Sequence, residues 1–221
     1  MSGFATARQK MVDGQVRTSD VTDIRILDAM LALPREAFVP ERLRAVAYLD
    51  RDLEFREEGA SSRFLIKPAV SAKMLQAAEI KDTDWVLVAG TAPAYTAGLA
   101  ARLASQVIAT ESDANQAAKA KEVLAQFGLA NVTFTAAAPA RGDPENAPYD
   151  VIVIEGATEI EPTALLGQLS DGGRLVCLLG GGPAGKAVLY KRSGEDVGER
   201  PLFDAGAGVL PGFAKPPAFA F

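Results

Sequence analysis

From residue 85 onward, short runs of apolar, β-favouring residues recur at regular intervals: WVLVAG (85–90), QVIATE (106–111), NVTFTA (131–136), YDVIVIEG (149–156) and GRLVCLLG (173–180). Stretches with helical spacing separate them at 94–104, 114–127 and 161–170. Strands that are apolar at almost every position, alternating with helices, predict a parallel sheet covered on both faces. After residue 180 the helices stop, and KAVLYKRSG and ERPLFDAGAG predict an antiparallel pair. Before residue 80 the pattern differs. Residues 8–33 alternate apolar and charged positions at helical spacing, with Asp20 as a candidate cap and Val21, Ile24, Leu27, Met30 and Leu31 as an apolar stripe. LPREAFVPE (33–41) ends that segment at Pro34, the charged stretch 51–63 reads as loop, and AVSAKMLQAAEI after Pro68 predicts a helix.

The expected architecture is therefore α/β: one domain over 1–221, with a helical N-terminal cap and substrate-side segment (1–80) on a doubly wound core (81–221). Composition sharpens this picture. The chain has 221 residues, 48% of them hydrophobic, and a mean hydropathy of +0.09. A net charge of −5 gives no electrostatic pull toward nucleic acid. Nothing in the sequence reaches the roughly 18 apolar residues of a membrane span, and the N-terminal stretch lacks the apolar core of a signal peptide. With a single cysteine, Cys177, no internal disulfide forms, and a cytoplasmic location is expected. The chain contains no histidine, which removes imidazole proton shuttles, Ser-His-Asp hydrolysis and histidine-ligated zinc. No metal site is expected. The chemistry that remains rests on carboxylates, hydroxyls, lysines, tyrosines or a cofactor that brings its own reactivity.

The segments MVDGQV, ILDAMLALPREAFVPE, AYLD, GLAARLA, NVTF, PENAPYDVIVIEGA, LLGQLSDGGRLVCLLG and LPGF resemble the protein-L-isoaspartate O-methyltransferases in order and spacing, over nearly the whole chain. The resemblance implies a Rossmann-like class I methyltransferase fold with a mostly parallel seven-stranded sheet. It also implies S-adenosylmethionine as cofactor and methyl transfer to the α-carboxyl of an isoaspartyl residue. That reaction suits a chain without histidine, because the nucleophilic carboxylate is already ionised at pH 7 and the task is to align two bound groups.

Carried over position by position, the family's site residues are mostly replaced. In the turn after the first core strand, the family's acid falls on Val88 and its three glycines on Gly90, Ala92 and Ala94, with Thr91 between and Tyr95 retained. Pro93 and Thr91 also make an ordinary helix start. Glu111 matches the acid that bonds the ribose hydroxyls. Ala138 takes the place of the acid that contacts adenine, flanked by Ala137 and Pro139. In SRFLIKP (62–68), Phe64 stands at the family's threonine and Ile66 at the serine that meets the substrate, so no catalytic residue is assigned. Lys67 reads as a solvated lysine.

The expectation is weakened or absent S-adenosylmethionine binding in a protein kept as a binding or assembly protein. The alternative is an active carboxylate methyltransferase with a remodelled site. Expected partners are another protein or an isoaspartyl-containing protein, with a homo-oligomer left open. GGGPAGKA (180–187) imitates a phosphate-binding loop but lacks the Ser or Thr and the following helix. DPE (143–145) and EIE (159–161) supply carboxylates near the sheet's edge. Phe213, Phe219 and Phe221 in the proline-rich tail offer either a docking element or a cover for the sheet.

Overall fold

The computed structural model describes residues 3–55, 62–90 and 93–216. Thr91, Ala92, Phe219 and Phe221 lie outside the described residues. The N-terminal part contains α1 (Gly3–Met11), which continues into a π turn over Val12–Val16 and a 3-10 turn over Arg17–Ser19, and α2 (Ile24–Ala32). Asp20 does not cap α2. It sits at φ 63 after the 3-10 turn, and Asp23 caps instead, its carboxylate accepting from the Arg25 N–H at 2.9 Å. The shift rotates the stripe: Ile26, Leu27, Ala29 and Met30 are buried, whereas Ile24 is 58% exposed.

The stretch expected to be loop at 51–63 contains β1 (Leu53–Phe55) and the start of β2 (Arg63–Leu65), which pair antiparallel as a separate two-stranded sheet. Charged residues there mask an alternation in which Leu53 and Phe55 point inward. Pro68 opens α3 (Pro68–Ala78) at its first turn.

The main sheet is β3 (Trp85–Ala89), β4 (Gln106–Thr110), β5 (Val132–Thr135), β6 (Tyr149–Thr158), β7 (Leu169–Leu179), β8 (Lys186–Ser193) and β9 (Asp196–Asp204). The strands lie in the order β5-β4-β3-β6-β7-β8-β9. All pairings from β5 to β7 are parallel and the last two are antiparallel, as the sequence predicts. Helices α4 (Tyr95–Ala101), α5 (Ala114–Gln126) and α6 (Thr163–Leu166) connect the strands. The first and last are shorter than the spacing suggests, because α4 starts after Ala94 and only one turn forms before β7.

The continuous apolar strands divide by alternation between two cores. Val86 and Val88 of β3 and Val151 and Val153 of β6 join the core beneath the N-terminal helices. Leu87, Ala89, Ile152 and Ile154 join the core on the opposite face. The chain runs outward from β3 through β4 to β5 and returns to β6 on the other side of β3. The carboxyl ends of β3 and β6 thus flank the crevice where ligands bind in open α/β sheets.

Candidate cofactor cleft

At that crevice β3 ends in Gly90, whose φ of +85 turns the chain out of the sheet. Its N–H donates to Thr110 Oγ1 at 3.3 Å, tying the turn to the end of β4. Glu111 follows β4 directly and is 4% exposed. One carboxylate oxygen, Oε1, accepts from Arg63 Nη2 at 2.7 Å and from the Asp113 N–H at 2.8 Å. Asp113 in turn caps α5 through Asn115 and Gln116. Glu111 therefore organises the start of α5 on one side and holds a guanidinium from the β1–β2 sheet on the other.

Two hydrophobic side chains fill the remaining space. Leu210 packs so closely on Gly90 and Gly156 that a Cβ on either glycine would lie 2.7 or 2.5 Å from its branch. The Phe64 ring packs on the Gly208 backbone, where a Cβ would meet ring atoms at 2.1 Å. Leu210 is held in place because its N–H donates to Ala157 O at 3.0 Å and the Ala157 N–H to Gly208 O at 2.9 Å. The segment thus extends the end of β6. What remains among Arg63, Phe64, Gly90, Glu111, Pro139 and Leu210 is a cavity of about 20 Å³.

Of the expected positions among the described residues, Gly90 and Glu111 line this cleft. Ala94 is fully buried at φ 70, so its backbone keeps the left-handed path that a glycine would follow. It is also the N-terminal boundary residue of α4, so Pro93 lies before the helix rather than at its first position. Tyr95 is a core residue: its ring lies edge-on to Phe38 at 5.3 Å and beneath the Arg35 guanidinium at 5.1 Å. Burial pushes its hydroxyl up to about 12, with Arg35 pulling the other way. Ala138 is exposed on the loop after β5, with its neighbour Pro139 at the cleft rim. Ile66 is buried between β2 and α3, and its carbonyl accepts from Arg35 Nη2 at 2.5 Å. Val88 is buried within β3.

The acids singled out elsewhere serve the framework. Asp143 accepts from Thr135 Oγ1 at 2.7 Å and Asn146 Nδ2 at 2.9 Å, and Glu159 accepts from the Lys215 N–H at 2.8 Å. Phe213 is 2% exposed and covers this chain's own sheet. The GGGPAGKA stretch leads into β8, with no helix after it. No group of potential metal ligands occurs among the described residues. Within them, no helix is long and apolar enough to cross a membrane.

Sequence reasoning missed Arg63, Leu210 and Glu155. Opposite charge is the only sequence signal joining Arg63 to Glu111, which lies 48 positions away. Glu155 is 1% exposed in the centre of β6 and accepts from Thr96 Oγ1 at 2.8 Å. Burial lifts its carboxyl to about 8, although the Thr96 bond and Arg35 oppose the rise.

The family model for protein-L-isoaspartate(D-aspartate) O-methyltransferase (PCMT) matches residues 6–200. The chain belongs to this family. A protein-L-isoaspartate O-methyltransferase from Koribacter versatilis is 37% identical over 180 residues, 81% of this chain and 79% of that protein. One from Methanoculleus marisnigri is 38% identical over 188 residues, 85% of this chain and 84% of its own length. Among solved structures, a protein-L-isoaspartate O-methyltransferase superposes with a TM-score of 0.81 at 23% identity, over 93% of this chain and 66% of the other. A Plasmodium falciparum protein described as a beta-aspartate methyltransferase (PCMT), in complex with S-adenosyl-L-homocysteine, gives 0.72 at 15% identity over 95% of this chain and 99% of the other. These superpositions establish the class I methyltransferase fold.

As the described residues shape it, the cleft does not fit the family's cofactor in this conformation. Ligand pockets for molecules of that size span about 300–1,000 Å³, far above the 20 Å³ left here. Glu111, the residue that the resemblance matches to the family's ribose acid, is already bonded to Arg63. A larger hollow of about 580 Å³ lined by Thr22, Arg25, Gln76 and Lys81 lies where β3 begins, at the wrong end of the sheet for this chemistry.

Proposed function

We propose that the chain is a protein-L-isoaspartate O-methyltransferase with a remodelled site, whose cofactor cleft must open before S-adenosylmethionine enters. Glu111 carries this reading. It stands at the carboxyl end of β4 beside Gly90, at the crevice next to β3, where a carboxylate can accept from the hydroxyls of a ribose. The names of relatives support it, since proteins 33–38% identical to this chain are called by this activity. The cofactor supplies an activated methyl group and the substrate its own carboxylate, so the absence of histidine is no obstacle.

A second reading is weakened or lost methyl transfer, with the protein kept for binding or assembly. It is favoured by the contracted cavity and by Val88, Ala138 and Ile66, none of which offers a polar side chain at positions where the family pattern has one. Losing such contacts costs on the order of 1–3 kcal/mol each.

Calorimetric titration with S-adenosylmethionine and S-adenosylhomocysteine, followed by a methyl-transfer assay on an isoaspartyl peptide, separates the two. Micromolar binding with peptide methylation upholds the first reading. No heat at millimolar ligand and no transfer sinks it and leaves the second.

A further inference from the structure

We propose that Arg35 and Glu155 form a buried, proton-operated clasp between the first turn of α4 and the peptide that joins Ile66 to Lys67. Arg35 is fully buried, with Nε donating to Ala47 O at 2.8 Å and Nη2 to Ile66 O at 2.5 Å. The Lys67 N–H, in the same peptide unit as that carbonyl, donates to Asp52 Oδ1 at 2.7 Å. A guanidinium on one side and a carboxylate on the other thus hold a single peptide plane. At the far end of the clasp, Glu155 Oε1 accepts from Thr96 Oγ1 in the first turn of α4.

Each of the two charged residues keeps one unused atom. Among the described residues, Arg35 Nη1 and Glu155 Oε2 are buried without a hydrogen-bond partner. Each residue also feels the other's charge. With a proton on Glu155 the carboxyl is neutral, and Arg35 stays committed to the two carbonyls. Loss of that proton leaves a buried anion near a buried cation, and the two unused atoms are drawn together. The guanidinium is a rigid fork, so turning Nη1 toward Glu155 pulls Nη2 off Ile66 O. The carbonyl is not stranded, because Ser71 Oγ lies 3.4 Å away as a second donor.

Burial favours protonated Glu155, while Thr96 and Arg35 favour the ionised form, which sets the change at about pH 8. The other ionisable groups around Arg35 are Tyr95, Tyr48 and Asp52. Burial raises both tyrosine hydroxyls and the Asp52 carboxyl above their ordinary values.

Methyl NMR on the full chain without ligand tests the clasp, with the Thr96 and Ile66 methyl groups followed through that pH. Both signals should move with one shared midpoint, and E155Q should flatten both. T96V removes a donor that favours the ionised form and should raise the Ile66 midpoint by about one pH unit. R35K keeps the charge but loses the fork, so Thr96 should titrate while Ile66 no longer follows. An Ile66 signal that is flat in the unaltered chain, or that titrates unchanged in E155Q, overturns the clasp. If R35K fails to fold, E155Q and T96V decide.

The bearing of the clasp on activity rests on the function proposed above. Ile66 stands at the family's substrate serine, so the KM for an isoaspartyl peptide should rise severalfold above the midpoint and stay level in E155Q. A level KM in both proteins strikes this bearing, and no transfer at any pH strikes the proposed function. Titrating methyl groups leave the clasp in place in either case.

Discussion

Ala94 holds a left-handed backbone with a side chain that disfavours it. The φ of 70 is one that L-residues other than glycine, asparagine and aspartate rarely take, and the methyl group is fully buried. Replacing it with glycine relieves the steric cost and returns part of the gain as unfolded-state entropy. A94G should therefore stabilise the protein by about 0.5–1 kcal/mol, seen as a higher denaturant midpoint at unchanged slope. A destabilised variant would mean that packing of the buried methyl outweighs the strain. The sequence indicated that this position belongs to a glycine in the family. That the backbone keeps the glycine's path is not legible there, because alanine is read as helix-forming and φ is decided by the turn around it. Tyr95 shows the converse. Its identity matches the family, yet its ring is committed to Arg35 and Phe38, contacts between residues too far apart in sequence for periodicity to pair them.

At the level of elements, the parallel core strands and the antiparallel C-terminal pair followed from apolar runs and spacing, because a strand buried on both faces has a composition that little else mimics, whereas the order of the strands in the sheet did not. The β1–β2 hairpin was hidden, since three-residue strands leave too few alternations to stand out from a charged stretch. The closing of the cleft was hidden for a similar reason: Arg63 comes from that hairpin and Leu210 from a segment that pairs with β6 only after the fold exists. The contact of β6 with α4 carries a pH dependence. Glu155 titrates near 8 in the fold against an ordinary value of 4.5, so between those values the unfolded chain gives up a proton that the folded one keeps. Stability should fall as pH rises from about 4.5 to 8, by up to a few kcal/mol, and level off above. E155Q should flatten that slope while leaving the acid limb intact. The groups facing Glu155 are Thr96 and Arg35, and Arg35, itself lowered by burial and pulled back by Tyr95 and Glu155, stays charged throughout. Equal slopes in the two proteins would exclude Glu155 as the source.

Over the whole molecule, the last described stretch completes the core instead of trailing from it. Leu210 and Phe213 are buried against the face containing Leu87, Ile154 and Cys177. Burying a side chain of that kind contributes about 1.5–3 kcal/mol. Deleting residues 205–221 should therefore lower the melting temperature by on the order of 10 °C. The truncated chain should also bind a dye that reports exposed apolar surface. An unchanged melting curve would show that the segment is only loosely attached.

The left-handed alanine also bears on how this cleft could be changed by descent. Every alanine codon is one base from a glycine codon, so position 94 can become glycine in a single step, and the backbone already has the left-handed twist that glycine takes. Removing Leu210 from between Gly90 and Gly156 has the opposite character, since it empties packed volume and costs about 2–5 kcal/mol for a change to alanine. A population evolving under selection for ligand entry would thus find the two steps unequal in order: the glycine first, building a reserve of stability, and the loss of the leucine only after that reserve exists.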